Sequence, residues 1–122
     1  MRHWIEHLRA SLGWSISGVI ILFRGEVSAR MEFAAAIVCL LWLTAIGRSL
    51  AEIAVFVICA GAVLALESLN SAIELIVDDV SPQRSEFARR TKDLGSAAVF
   101  FMLTATGLYV LALSIGAFVA GV

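Results

Sequence analysis

Three stretches of the chain lose their charges for about the length of a helix. From Phe33 to Gly47 no residue is charged, and Arg48 closes the run. Ile53 to Leu66 is again free of charge and runs on into a polar stripe, while Leu94 to Val122 carries no charge at all. A helix needs about 20 mainly apolar residues to cross a bilayer. The third run suffices alone, the first needs its flanks, and the second must extend through Glu67 and Glu74. Ahead of them, Trp4, Ile5, Leu8 and Leu12 recur at helical spacing, with Arg2, Glu6 and Arg9 on other faces. That is the pattern of an amphipathic helix lying in the membrane interface. The expectation is an all-α membrane protein of one domain, residues 1–122, with a surface helix over about 1–28 and transmembrane helices over about 30–48, 50–79 and 90–120.

The connections are short. "GRSLAE" turns tightly between the first two spans, with Gly47 ending a helix. "DDVSPQRSEFARRTK" links the second and third, and Ser81 before Pro82, the only proline, reads as an N-cap followed by proline at the first helical position. Of the nine Lys and Arg residues, only Arg48 falls on the short-loop side. Arg2, Arg9, Arg24, Arg30, Arg84, Arg89, Arg90 and Lys92 fall on the other. The positive-inside rule then places the N-terminus and the 79–91 loop in the cytoplasm.

Composition sharpens this reading. The chain is 61% hydrophobic and 16% charged, with a mean hydropathy of +0.95, well beyond the balance of a soluble domain. A net charge of −1 leaves no basic surplus for phosphates, which argues against a nucleic-acid partner. Cys39 and Cys59 lie in apolar stretches without a CxxC pair and read as packing residues. His3 and His7, four apart, read as a solvated or headgroup-facing pair. His3, Glu6, His7 and Arg9 interrupt the apolar core that a signal peptide would require.

One feature does not belong to an ordinary span. In "ESLNSAIELIVDD", Glu67, Asn70, Ser71, Glu74 and Asp78 fall within roughly a 100° arc of one helix. Glu67 lies about 16 Å from Asp78 along the axis and deeper from the cytoplasmic surface. An acidic residue at the bilayer centre costs on the order of 2.5–3.5 kcal/mol. Asn70 and Ser71 would serve as hydrogen-bonding glue between helices, but glue requires no formal charge. Lys92, the only lysine, opens the third span beside Asp93, with Ser96 one turn deeper. An antiparallel hairpin brings it level with Glu74 and Asp78, and Glu26, Arg30 and Glu32 precede the first span at that level. Carboxylates, a lysine and arginines at an interface suit phosphate chemistry: Mg²⁺ takes one or two carboxylates plus phosphate oxygens, and another carboxylate can accept a hydroxyl proton. Neither GxxxxGK[ST] nor GxGxxG is present.

"ESLNSAIELIVDD" followed by "RRTKDLGSAAVF" resembles the small integral-membrane diacylglycerol kinases of bacteria, whose pattern is ExxNxAIExxVD and then a KD-containing start to the third span. The resemblance extends to the loop length, the "GE" before the first span and the layout of a surface helix plus three spans. It implies a homotrimer in the bacterial inner membrane with active sites between protomers. It implies ATP-dependent phosphorylation of diacylglycerol, with Glu67 as the base that deprotonates the lipid hydroxyl. Glu74 and Glu26 then match the carboxylates holding the Mg²⁺ of MgATP. Asn70, Asp78, Lys92 and Asp93 match residues around nucleotide and phosphate, and Arg30 and Ser96 match the lipid side. Trp14 replaces a tyrosine near the nucleotide, and Gln83, Arg84 and Ser85 stand in the nucleotide loop with a different sequence. Undecaprenol kinase, an activity of the same family, is the alternative, although "KDLGSAAV" resembles the diacylglycerol form rather than "KDxxAGAV". A non-enzymatic oligomer conducting cations or protons along the stripe is a third reading.

Overall fold

The structure, a computed structural model, describes residues 1–121 and consists of four helices in chain order: α1 (Arg2–Gly25), α2 (Val27–Ala45), α3 (Leu50–Val80) and α4 (Glu86–Val119). Three of them, α2, α3 and α4, are long and apolar enough to cross a membrane. With 19, 31 and 34 residues, they measure about 28, 46 and 51 Å at the helical rise, against about 30 Å of hydrocarbon. The last two therefore overrun a bilayer by several turns.

The junctions follow from local chemistry. Glu26 alone separates α1 from α2. Its extended backbone (φ −103°, ψ 119°) makes it both the C-cap of the first and the N-cap of the second. Its N–H still bonds the Leu22 carbonyl at 2.8 Å. Arg30, one turn into α2, donates from Nη1 to the carbonyls of Phe23 and Arg24 at 2.8 and 3.2 Å, satisfying orphan acceptors at the end of α1. Phe23 and Phe33 close the outside of the corner edge to face, with ring centres 5.5 Å apart. The corner lies earlier in the chain than the hydropathy pattern suggests, because Arg30 has carbonyl partners that let the helix run through it.

At the other end of α2, Gly47 adopts φ 70°, a left-handed conformation that a side chain would strain. Ser49 then opens α3 with a capping box: its Oγ accepts from the Glu52 N–H, and the Glu52 carboxylate accepts from the Ser49 N–H at 2.8 Å. The α3–α4 link corrects one expectation. Ser81 is the C-cap of α3, not the N-cap of α4; that role belongs to Ser85, whose Oγ accepts from the Ala88 N–H at 3.0 Å. Pro82 stops α3 rather than starting α4, as prolines just past a C-cap do.

Packing runs chiefly between α3 and α4, then between α2 and α3. Leu43, Phe56, Val63, Val77, Val99 and Ala117 form a thin buried column. Trp42 Nε1 donates to Ser114 Oγ at 2.9 Å, and the Tyr109 hydroxyl donates to the Glu52 carbonyl at 3.0 Å, tying the end opposite the acidic stripe. Apolar side chains otherwise point outward on every helix. The chain exposes 8860 Å², whereas a compact soluble protein of this mass exposes about 6,400 Å².

Candidate active site

Where α3 passes the start of α2 and the first turns of α4, its polar stripe turns inward. Glu67 is 5% exposed and Asn70 is 9% exposed, the two buried polar residues of the described chain. Burial then fades along the stripe: Ser71 and Glu74 are half-buried and Asp78 is exposed. The stripe thus grades from the packed interior to open surface over three turns.

A cavity of about 400 Å³ opens on this face. Its polar lining comprises Glu26, Ser28 and Glu32 from the α1–α2 corner and α2, Glu67, Asn70 and Glu74 from α3, and Ser96 from α4; Val99, Phe100 and Leu103 form its apolar floor. Each polar group arrives for a local reason. Glu26 is delivered by the single-residue break between two helices. Ser28 and Glu32 are one turn apart on the same face of α2. Glu67, Asn70 and Glu74 share a face of α3 through spacings of three and four. Ser28 Oγ donates a hydrogen bond to Glu67 Oε1, and Asn70 Nδ2 donates to Glu74 Oε1 at 3.2 Å.

Asn70 is fixed by its other side. A methyl group at Gly95 would collide with Asn70 Oδ1, so only glycine lets α4 approach this closely. That oxygen is buried without a hydrogen-bond partner, and so is Glu32 Oε2.

The four carboxylates around the cavity make no ion pair, although Glu74 lies close enough to Lys92 for their charges to interact. Among the described residues, ion pairs join Arg48 to Glu52, Arg89 to Glu86 and Asp93, and Lys92 to Asp78; Glu26, Glu32, Glu67 and Glu74 are in none of them. Buried carboxylates are ordinarily paired or bind a cation. Among the described residues no three His, Cys, Asp or Glu side chains cluster tightly enough to hold an ion unaided. Oxygen donors in ones and twos, completed by phosphate and water, are the coordination Mg²⁺ accepts. The donor set fits an ion that arrives already bound to phosphate.

A second cavity, of about 460 Å³, lies beside the α3–α4 link and is lined by Gln83, Arg84, Ser85, Glu86, Arg89 and Lys92, with Pro82 and Ala88. Lys92 Nζ also contacts Asp78 Oδ1 at 2.5 Å, so the lysine joins the loop to the outer end of the stripe. Asp93 bonds Arg89 Nη1 at 2.9 Å. The structure thus gathers Glu26, Glu67, Asn70, Glu74 and Ser96 at one cavity and Gln83, Arg84, Ser85 and Lys92 at the other. Trp14, 71% exposed on α1, lines neither, and Arg30 is occupied at the helix corner.

Ser28 and Gly95 escaped the sequence reading, and Glu32, placed at the level of the stripe, was given no individual role. Ser28 could have been found from its spacing of four from Glu32, which puts the two on one helical face once α2 is known to start at Val27. Gly95 could not, because its role depends on the register between α3 and α4.

Residues 13–114 match the family of prokaryotic diacylglycerol kinases. Among curated proteins, the diacylglycerol kinase of Haemophilus influenzae is 35% identical over 104 residues, covering 85% of this chain and 88% of the relative. The diacylglycerol kinase of a Sinorhizobium species is 35% identical over 105 residues, covering 86% and 76%. That of Pseudomonas aeruginosa is 34% identical over 100 residues, covering 82% and 81%. The stripe, the capped α3–α4 link, the whole of α2 and α3 and α4 as far as Ser114 fall within the matched region, and the chain belongs to the prokaryotic diacylglycerol kinase family.

Proposed function

We propose that this protein transfers the γ-phosphoryl group of ATP to the hydroxyl of diacylglycerol, yielding phosphatidic acid and ADP, at the cytoplasmic face of a bacterial inner membrane. The observation that carries this reading is the cavity with four carboxylates and no cation of its own. Such a site would be costly in a purely structural helix pair.

Depth supports the assignment of roles. With Leu50 at the outer hydrocarbon boundary, Glu67 lies about 26 Å along α3, Asn70 about 30 Å, Glu74 about 36 Å and Asp78 about 42 Å. A hydrocarbon layer of about 30 Å thus ends near Asn70. Glu67 stands just inside, where the headgroup end of a lipid reaches, and Glu74 and Asp78 stand outside, where a nucleotide arrives. Glu67 takes the hydroxyl proton as the lipid oxygen bonds the γ-phosphorus and the bond from that phosphorus to the ADP oxygen breaks. Glu26 and Glu74 would hold the Mg²⁺ that enters with ATP, and Asn70 fixes Glu74 through its amide. The bound ion supplies charge neutralisation at the phosphates. Lys92, held by Asp78, faces the phosphates with Asp93 nearby. Gln83, Arg84 and Ser85 frame the nucleotide in the link cavity; Trp14, which lines neither cavity of its own chain, reaches the nucleotide only from a neighbouring copy of the trimer. Ser96, exposed at the cavity's lip, stands where a lipid headgroup enters, and Arg30 maintains the corner that shapes this entrance.

α1 lies in the interface, since its Trp4, Ile5, Leu8 and Leu12 are all exposed to whatever surrounds the chain. The basic residues of α1, of the corner and of the link support a cytoplasmic position for that end of the molecule. The protein works as a homotrimer with its sites between protomers, consistent with the exposed lip of the cavity.

Purified protein in bilayers, given labelled ATP together with diacylglycerol and undecaprenol, is expected to label diacylglycerol. Label on the polyprenol alone would overturn the substrate, and ion flux without ATP consumption would replace the kinase reading altogether. Glu67→Gln is expected to lower turnover at least ~100-fold, the scale of general-base catalysis, with unchanged helical content by circular dichroism.

A further inference from the structure

Helical Ser and Thr hydroxyls without another partner usually turn back onto their own helix. Six of the twelve helical Ser and Thr hydroxyls among the described residues do so, Ser15 and Thr44 among them, each bonding the carbonyl four residues earlier at 2.8–3.0 Å. Ser28 does not. The carbonyl four residues before it belongs to Arg24, which lies beyond the helix break and already accepts from Arg30 Nη1. Nor does Ser28 cap α2, because that position is Glu26. The hydroxyl is released by the corner and crosses to α3, where it donates to Glu67 Oε1.

We infer that Ser28 is a positioning residue for the phosphoryl transfer: its hydroxyl holds one oxygen of the Glu67 carboxylate so that the other faces the cavity as the proton acceptor. This rests on the reading of Glu67 as base. No other protein group among the described residues hydrogen-bonds Glu67 through its side chain. Without Ser28 the carboxylate would be free to rotate about its terminal torsion, a broad and weakly restricted one. The remaining charged groups facing it, Glu26 and Glu32 from α2 and its cap and Glu74 from its own helix, are all acidic and repel it; α4 contributes only Ser96 and apolar side chains. A neutral donor is therefore the one available anchor. Misplacing a reacting group by about 1 Å can cost on the order of 100-fold in rate.

The test compares Ser28→Ala, Ser28→Thr and Glu67→Gln as purified protein in bilayers, with kcat and both KM values measured for ATP and diacylglycerol. Ser28 is itself exposed, so removing its oxygen opens no void, and circular dichroism with thermal denaturation verifies the fold. Ser28→Ala is expected to lower kcat about tenfold with both KM values within twofold of the parent, and Ser28→Thr, which keeps the hydroxyl, to recover most of the loss. A parental kcat in Ser28→Ala, a defect confined to KM, or a Ser28→Thr variant as slow as Ser28→Ala would overturn the inference while an inactive Glu67→Gln leaves the base in place. An active Glu67→Gln would remove the base itself, and the positioning role with it.

Discussion

Gly95 illustrates how one missing methyl group can set the geometry of the proposed site. A β-carbon there would run into Asn70 Oδ1, and the nitrogen of the same amide bonds Glu74. Adding a side chain at Gly95 must therefore displace Asn70, a 9% exposed residue with little room to yield. Overpacking of this kind costs about 1–3 kcal/mol, and the displaced amide can no longer steady Glu74. Gly95→Ala is expected to lower thermal stability and to raise the KM for MgATP about tenfold, with little change in the KM for lipid. Adding Asn70→Ala relieves the collision without restoring the bond, so the double variant should recover stability but retain the nucleotide defect. Steady-state kinetics and thermal denaturation on the three variants separate the two effects; a double variant with normal MgATP use would show that the amide has no part in it.

The helices divide their labour along their length. One end of the α2–α3–α4 bundle is tied by the capping box, the Trp42–Ser114 bond and the Tyr109 hydroxyl, and the other holds the cavity of the proposed active site. Ser49→Ala removes half of the box at a cost of about 1 kcal/mol. Glu67 lies about 26 Å farther along α3, so kcat should stay within twofold of the parent while stability falls. A large drop in kcat would mean that the caps reach the site. The same division governs what was legible beforehand. The stripe on α3 could be read because charges at spacings of three and four stand out against an apolar helix, and the lengths of the spans follow from uncharged runs. The start of α2 could not be placed from hydropathy, because Arg30 and Glu32 look like flanking charges until Arg30 is seen to hold the carbonyls of α1. Without that start, the face shared by Ser28 and Glu32 had no phase. Ser81 reads as the N-cap of α4 because Pro82 follows it, but three non-helical residues, Pro82 to Arg84, intervene and leave that position to Ser85. The capping-box spelling of Ser49 and Glu52 is present in "GRSLAE", two residues past the glycine that ends α2.

A single copy of the chain is an incomplete enclosure. Its surface exceeds that of a compact protein of equal mass by about 2,500 Å², and lipid tails can cover most of the excess, since it is apolar. They cannot serve the lip of the cavity, where exposed Ser28 and Ser96 flank the carboxylates, because hydrocarbon offers polar groups no hydrogen bonds. A neighbouring copy can close that side, and closed rotational symmetry is the ordinary way to supply one for every site. The detergent-solubilised protein is accordingly expected to contain three copies of the 13.1 kDa chain, measured by light scattering with the detergent contribution subtracted. Dilution into excess empty micelles should reduce activity in step with loss of the trimer. Full activity in particles holding one chain would mean that lipid and nucleotide meet at a site that one protomer closes by itself.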